Sequence, residues 1–185
     1  MKATGVVRRI DDLGRIVIPK EIRKTLRIKE GTPLEIFTEK EGDIILKKYS
    51  PIGELQNFST EYVECLSKVT NFIAIVTDKD SIIAVSGTPK KDYLEQSISE
   101  ALEKIIDKRE FFVADYSKAI YITSKGDKEK SAKEKVPQVI VPIISASEVI
   151  GSVIILSKDV SKDMTSTEIE VAKVAASFLG TQMEI

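Results

Sequence analysis

Residues 8–25 read Arg8-Arg9-Ile10-Asp11-Asp12-Leu13-Gly14-Arg15-Ile16-Val17-Ile18-Pro19-Lys20-Glu21-Ile22-Arg23-Lys24-Thr25, and nowhere else in the chain are charge and hydrophobicity sorted so sharply. Leu13-Gly14-Arg15 is a turn signal, because Gly14 takes a positive φ without steric cost. Ile16-Val17-Ile18 is β-branched strand sequence. Pro19 ends that strand and suits the first turn of a helix, where its missing N–H has no partner to lose. In the short helix that follows, Ile22 and Leu26 share one face while Arg23 and Arg27 share another. The stretch predicts strand, turn, strand and stub helix, with cations at the turn and along the helix. Charge alone fits a solvated surface equally well. The Gly turn, the Ile-Pro break and the ordered Arg/Lys positions are more specific.

Outward from this stretch, Thr4–Ile10 reads as the preceding strand. After the stub helix, Lys29–Pro33 is a loop, and Leu34, Ile36 and Thr38 alternate with Glu35 and Phe37 as in a strand. Glu41-Gly42-Asp43 is a hairpin signal, with Ile44–Tyr49 as the return strand. Four short strands and one stub helix bury too little to fold alone. A dimer would supply the missing core.

From Met1 to about Pro51 the chain resembles the AbrB-type, swapped-hairpin transcription regulators. The resemblance is carried by Lys2, Thr4-Gly5, Val7-Arg8, Asp11, Leu13-Gly14-Arg15, Val17-Ile18-Pro19, Glu21, Arg23, Thr25-Leu26 and Ile45-Leu46-Lys47-Lys48-Tyr49. It implies a small all-β barrel with a short helix, built by two chains that interleave their hairpins, and it implies double-stranded DNA as partner. Arg8, Arg15 and Arg23 match DNA-contacting arginines of that family. Lys24 stands where the family often has Arg, whose planar fork binds differently from an ammonium. Arg9 joins the set from its place beside Arg8, although neighbours on a strand face opposite ways. With the second half included, the resemblance narrows to regulators of sporulation-stage genes.

The length of 185 residues suits one large domain or two small ones. The longest apolar runs, such as Val149–Leu156, fall well short of the ~20 residues a spanning helix needs. No signal-peptide core opens the sequence, and a single cysteine, Cys65, cannot form an intrachain disulfide. Both point to a cytoplasmic protein with no membrane partner. The net charge of −1 hides an asymmetry: residues 1–50 hold twelve Lys/Arg against eight Asp/Glu, a balance of +4, which leaves −5 for the rest. A basic half joined to an acidic half suits a polyanion-binding module with a separate sensing or partner module.

Ser50-Pro51-Ile52-Gly53 breaks the pattern and places the boundary between a domain at 1–52 and one at 53–185. A helix over about 53–69 carries Leu55, Phe58, Tyr62, Cys65 and Val69 at heptad-like steps. Near the end of the chain Ile169, Ala172, Ala176, Leu179 and Met183 repeat those steps. Leu55, Phe58, Tyr62, Ile169, Ala172, Ala176 and Leu179 are therefore candidate oligomerisation residues, able to extend a homodimer to a homotetramer. The last helix has a second stripe, Val171, Val174, Ala175 and Phe178, suited to packing on a sheet; a purely internal role for both stripes remains open.

Between these helices, Ile73–Thr77 and Ile82–Ser86 flank a turn at Asp78–Ser81. A helix over about 91–107 would turn Leu94, Ile98, Leu102 and Ile105 inward. Phe111–Val113, Ala119–Thr123, Val139–Ile144 and Val149–Leu156 complete five or six antiparallel strands. This α+β order, with Val-Pro-Ile and Ile-Gly-Ser-Val-Ile-Ile-Leu late in the sheet, resembles the GAF domains, which implies small-molecule sensing. The Lys-rich insert 124–135 reads as a solvated loop, with a ligand lid as the alternative.

The chain has no histidine, no phosphate-binding Gly-rich loop and no clustered Cys motif. Cys65 lies on an apolar stripe without a neighbouring base, as a buried structural cysteine would. Asp78 and Asp80 read as turn residues. These observations argue against catalysis and against a metal or cofactor, apart from an unidentified small-molecule effector in the GAF-like half. The reading is a DNA-binding regulator. Its rivals are an antitoxin using the same DNA-binding module, and a small-molecule sensor in which the basic half is only a dimerisation clip.

Overall fold

The computed structural model describes residues 5–39, 42–50, 52 and 56–183, and the chain divides into two compact units, 1–49 and 50–185. That division falls three residues before the 52/53 boundary expected from the sequence. Ile52 is buried in the core of the second unit.

In the first unit, helix α1 (Lys20–Thr25) follows Pro19 directly. Strands β1 (Leu34–Thr38) and β2 (Ile44–Lys48) form an antiparallel hairpin in which Leu34 faces Lys48 and Thr38 faces Ile44. Of the strands expected at 4–10 and 16–18, none is formed over the described residues: 5–19 pair with no neighbouring strand, and residue 4 lies outside the described residues. Their apolar side chains stay outside, Val7 at 87% exposure, with Ile10, Leu13, Ile16 and Val17 also exposed. A β-branched run makes a ladder only beside a second strand.

The second unit begins with α2 (Gln56–Thr70) and is built around five antiparallel strands: β3 (Ile73–Thr77), β4 (Ile82–Ser86), β5 (Phe112–Ala114), β6 (Gln138–Ser145) and β7 (Glu148–Leu156). Their order is β4-β3-β7-β6-β5. Each central strand is apolar on both faces because both are covered. Ala74, Val76, Val139, Val141, Val153 and Ile155 turn to one side, where Val63 and Leu66 of α2 and Ala172, Ala175, Ala176 and Leu179 of α5 (Ser166–Gln182) cover them. Ile73, Ile75, Ile140, Ile154 and Leu156 turn to the other, under Leu102 and Ile106 of α3 (Glu100–Asp107) with Tyr93, Ile98, Ile122 and Val136. Alternation along each strand thus feeds two cores from one sheet.

α5 lies close against the sheet because its inner face is small. A β-carbon on Gly180 would collide with the carbonyl oxygen of Ile144. Its start is fixed by a capping box in which the Thr165 hydroxyl accepts from the Thr167 N–H and Glu168 reaches back to the Thr165 N–H at 2.8 Å.

Four expectations are corrected on the α3 side. The helix expected over 91–107 starts only at Glu100, where the Ser99 hydroxyl caps the Leu102 N–H; upstream are a short 3-10 turn (Lys90–Asp92) and irregular chain. There the Glu95 N–H and Gln96 carbonyl bond to Ile82 on the β4 edge, which holds the segment out of helical geometry. Ile106, not Ile105, is the fully buried residue. The expected strand 119–123 is not formed beyond an isolated bridge of Thr123 to Ile98; the Ile122 and Thr123 N–H groups donate to the Glu134 carboxylate, at 2.6 and 2.9 Å. The supposed loop 124–135 contains α4 (Ser124–Glu129), capped by Thr123, and Glu134 is buried.

Candidate nucleic-acid interface

The 11–15 turn in the first unit is drawn together by one carboxylate. Asp11 exchanges backbone hydrogen bonds with the loop it starts, its N–H donating to the Arg15 carbonyl at 3.1 Å and its carbonyl accepting from the Gly14 N–H at 3.0 Å. Gly14 makes the turn at φ 75°, a region costly for other residues. Asp11 Oδ1 accepts from the N–H groups of Leu13 and Arg15, and Oδ2 accepts from the Arg15 Nε at 2.8 Å. The Arg15 N–H and then its guanidinium hold the Asp11 carboxyl below the usual carboxylate value.

The Arg15 guanidinium is thus oriented through Nε, and its side chain is 69% exposed. The guanidinium's remaining donors form a fork suited to phosphate or a guanine edge. Arg8 and Arg9 are exposed on the approach to the turn, and Arg23 and Lys24 are exposed on the last turn of α1. No carboxylate among the described residues pairs with these four. Asp11 is the functional residue that the sequence reading did not single out beyond the family resemblance; its i, i+4 spacing to Arg15 across a Gly turn was the available signal.

The oligomerisation candidates separate into two groups. Phe58 and Tyr62 of α2 are half-buried and gather with Phe178 of α5 in one aromatic cluster. Ile169 is half-buried against the core, whereas Ala172, Ala176 and Leu179 are buried under the sheet. The stripe expected to meet a partner therefore faces the sheet, and Val174 and Phe178, expected on the sheet, are exposed. Small residues allow the close helix–sheet approach, so the Ala/Gly face goes inward and the bulkier stripe stays out. Leu55 lies outside the described residues.

On α2 the buried face is Ser59, Val63, Leu66, Ser67 and Thr70. Ser67 and Thr70 find local acceptors, on the Phe72 and Leu66 carbonyls, whereas the buried Ser59 hydroxyl has no partner among the described residues. Cys65, expected in the interior, is exposed, as is Val69 at 77%. Among the described residues no helix is long and apolar enough to cross a membrane.

A basic hairpin unit followed by an α+β unit with a five-stranded antiparallel sheet defines a two-part class, and comparison with known proteins gives each half its relatives. Residues 54–184 match the family model described as "Stage V sporulation protein T C-terminal, transcription factor". Residues 7–54 match the model for "Antidote-toxin recognition MazE, bacterial antitoxin". The second unit has the GAF fold: the blue-light absorbing form of the PixJ GAF domain from Thermosynechococcus elongatus superimposes with a TM-score of 0.57 at 17% identity, over 74% of this chain and 89% of that one. The first unit is 59% identical over 51 residues to the transition state regulatory protein AbrB of Bacillus subtilis, covering 28% of this chain and 52% of that protein. Over all of this chain and 99% of the relative, the sequence is 47% identical to stage V sporulation protein T of Bacillus subtilis. The chain belongs to the stage V sporulation protein T family of transcription factors.

Proposed function

We propose that this chain is a sequence-specific DNA-binding regulator of sporulation-stage genes that works in the cytoplasm as a homodimer or larger homo-oligomer and is not an enzyme. The observation that carries the reading is the Asp11–Arg15 turn, which orients one exposed guanidinium in a unit that also exposes Arg8, Arg9, Arg23 and Lys24 with no acid paired to them among the described residues. Arg15 is assigned the base-edge or phosphate contact, with Arg8, Arg9, Arg23 and Lys24 on flanking phosphates. Dimerisation through the first unit is supported by the exposed Val7, Ile10, Leu13 and Val17, which a second interleaved chain would cover. Higher assembly is assigned to the α2–α5 face bearing Phe58, Tyr62, Val174 and Phe178, and the GAF-like unit is assigned the sensing of a small effector.

An antitoxin reading is favoured by the MazE match alone. Residues 50–185 form their own sheet and two cores, unlike an extended tail that folds on a toxin. The test is an electrophoretic shift with the full chain on promoter DNA over a salt series. If six to eight cations of a dimer meet phosphates, the log–log slope should lie near about −5 to −7. Binding with no salt dependence would overturn the assignment.

A further inference from the structure

Between the 90–96 segment, α4 and residues 131–134 lies a cavity of about 220 Å³, smaller than the roughly 300–1,000 Å³ of pockets that take drug-sized ligands. Tyr93 lines it at 2% exposure, and its hydroxyl is buried without a hydrogen-bond partner. Native structures seldom leave such a group unmatched, and an unmatched one costs stability. Burial, with the Glu134 and Asp92 carboxylates adding, pushes the phenol well above its ordinary value. Tyr93 therefore keeps its proton and remains both donor and acceptor.

The charges around it are mixed. Asp92 is bridged to Lys133 at 3.0 Å, which ties the 90s segment to the 130s. Glu134 accepts three hydrogen bonds from Ile122 and Thr123. At the rim Lys91, Lys125 and Glu129 are exposed. A free anion would meet two carboxylates at the Tyr93 end, and a free cation would meet two lysines at the rim.

We propose that this cavity binds a small zwitterion of the α-amino-acid kind, its ammonium against the Tyr93 hydroxyl and the Asp92 and Glu134 carboxylates, its carboxylate towards Lys91 and Lys125. The inference rests on the sensor assignment of the second unit, and it names the ligand class and the place.

The experiment is thermal unfolding of the full chain with free leucine, serine, glutamate and lysine, each beside its N-acetyl derivative and the amine lacking its carboxylate. At about a hundred-fold excess over Kd, one or more free amino acids should raise the midpoint by roughly 5 °C, while its two truncated analogues should not. Tyr93→Phe keeps the ring and should weaken that ligand about ten-fold, the worth of a hydrogen bond to a charged group. Without ligand, this variant should unfold at or above the wild-type temperature, since it removes an unmatched hydroxyl. Lys91→Gln, at the exposed rim, should weaken binding while leaving ligand-free unfolding unchanged. A shift from no amino acid, an equal shift from the truncated analogues, or undiminished binding in both variants would overturn the proposal. DNA affinity with and without ligand is measured separately: loss of ligand binding leaves the DNA assignment standing, whereas binding without any effect on DNA overturns the sensor reading on which the proposal rests.

Discussion

The ring of Phe178 on α5 stacks on that of Tyr62 on α2, with centroids 5.5 Å apart and planes 15° from parallel. Phe178 stays 39% exposed in this arrangement. Aromatic stacking that leaves a ring half in water suits a surface awaiting a second copy. Phe178→Asp should therefore leave the second unit folded and lower the mass of the full chain in light scattering. Unchanged mass would remove this face from the assembly.

Leu179, the next residue, behaves oppositely. It is buried under the sheet, so Leu179→Ala should cost about 2–5 kcal/mol in urea unfolding through the cavity it leaves. Oligomeric state, measured below the unfolding transition, should stay as in wild type. Neighbours on one helix thus separate core from exposed surface.

Arg15→Ala should leave fold and dimer intact and weaken DNA binding by about 1–3 kcal/mol. Asp11→Ala should weaken it less, because the guanidinium survives and only its orientation through Nε is lost. The two are compared in one salt titration, where the Arg15 variant also flattens the slope. A larger loss from Asp11→Ala would mean that the turn, and not the cation, makes the contact.

Glu168 gives the pH dependence a sign. Burial opposes its charge most strongly, yet the hydrogen bonds from Thr165 and the nearby Lys162 outweigh burial, and the carboxyl is held below its ordinary value of 4.5. The unfolded chain takes up the proton first. The stabilisation is therefore complete above that ordinary value and is lost as pH falls through the lower folded value. In urea unfolding from about pH 7 to about pH 3, the gap between wild type and Glu168→Gln should close on acidification. A gap that stays constant would mean the capping box adds no charge-dependent stability.

The central sheet was legible because Ile73–Thr77, Gln138–Ser145 and Glu148–Leu156 are β-branched runs of strand length. Their turns are short enough to admit only antiparallel pairing. Ser99 followed by Glu100 and Glu103 was a readable helix start, but the apolar spacing from Leu94 to Ile105 masked it. Nothing local announces that the Glu134 carboxylate stands in for a strand beside Ile122 and Thr123, because that pairing spans eleven to twelve residues and needs the fold first. On α5 the apolar period itself misled. Hydrophobicity ranks Phe178 and Val174 above Ala172 and Ala176, while close packing on a sheet selects small side chains. At the hairpin, the residue types of the candidate site were visible, and the Asp11 bracket on Arg15 was not.

The apolar side chains left outside by the first unit bear on how such a regulator would respond to its own abundance. If Val7, Ile10, Leu13 and Val17 find cover only in a second chain, the competent form appears in proportion to the square of the free-chain concentration while chains are scarce. A modest rise in synthesis would then give a steeper rise in promoter occupancy, and dilution by growth would switch it off as sharply. Timing would be set by how many copies a cell holds, before any effector is sensed.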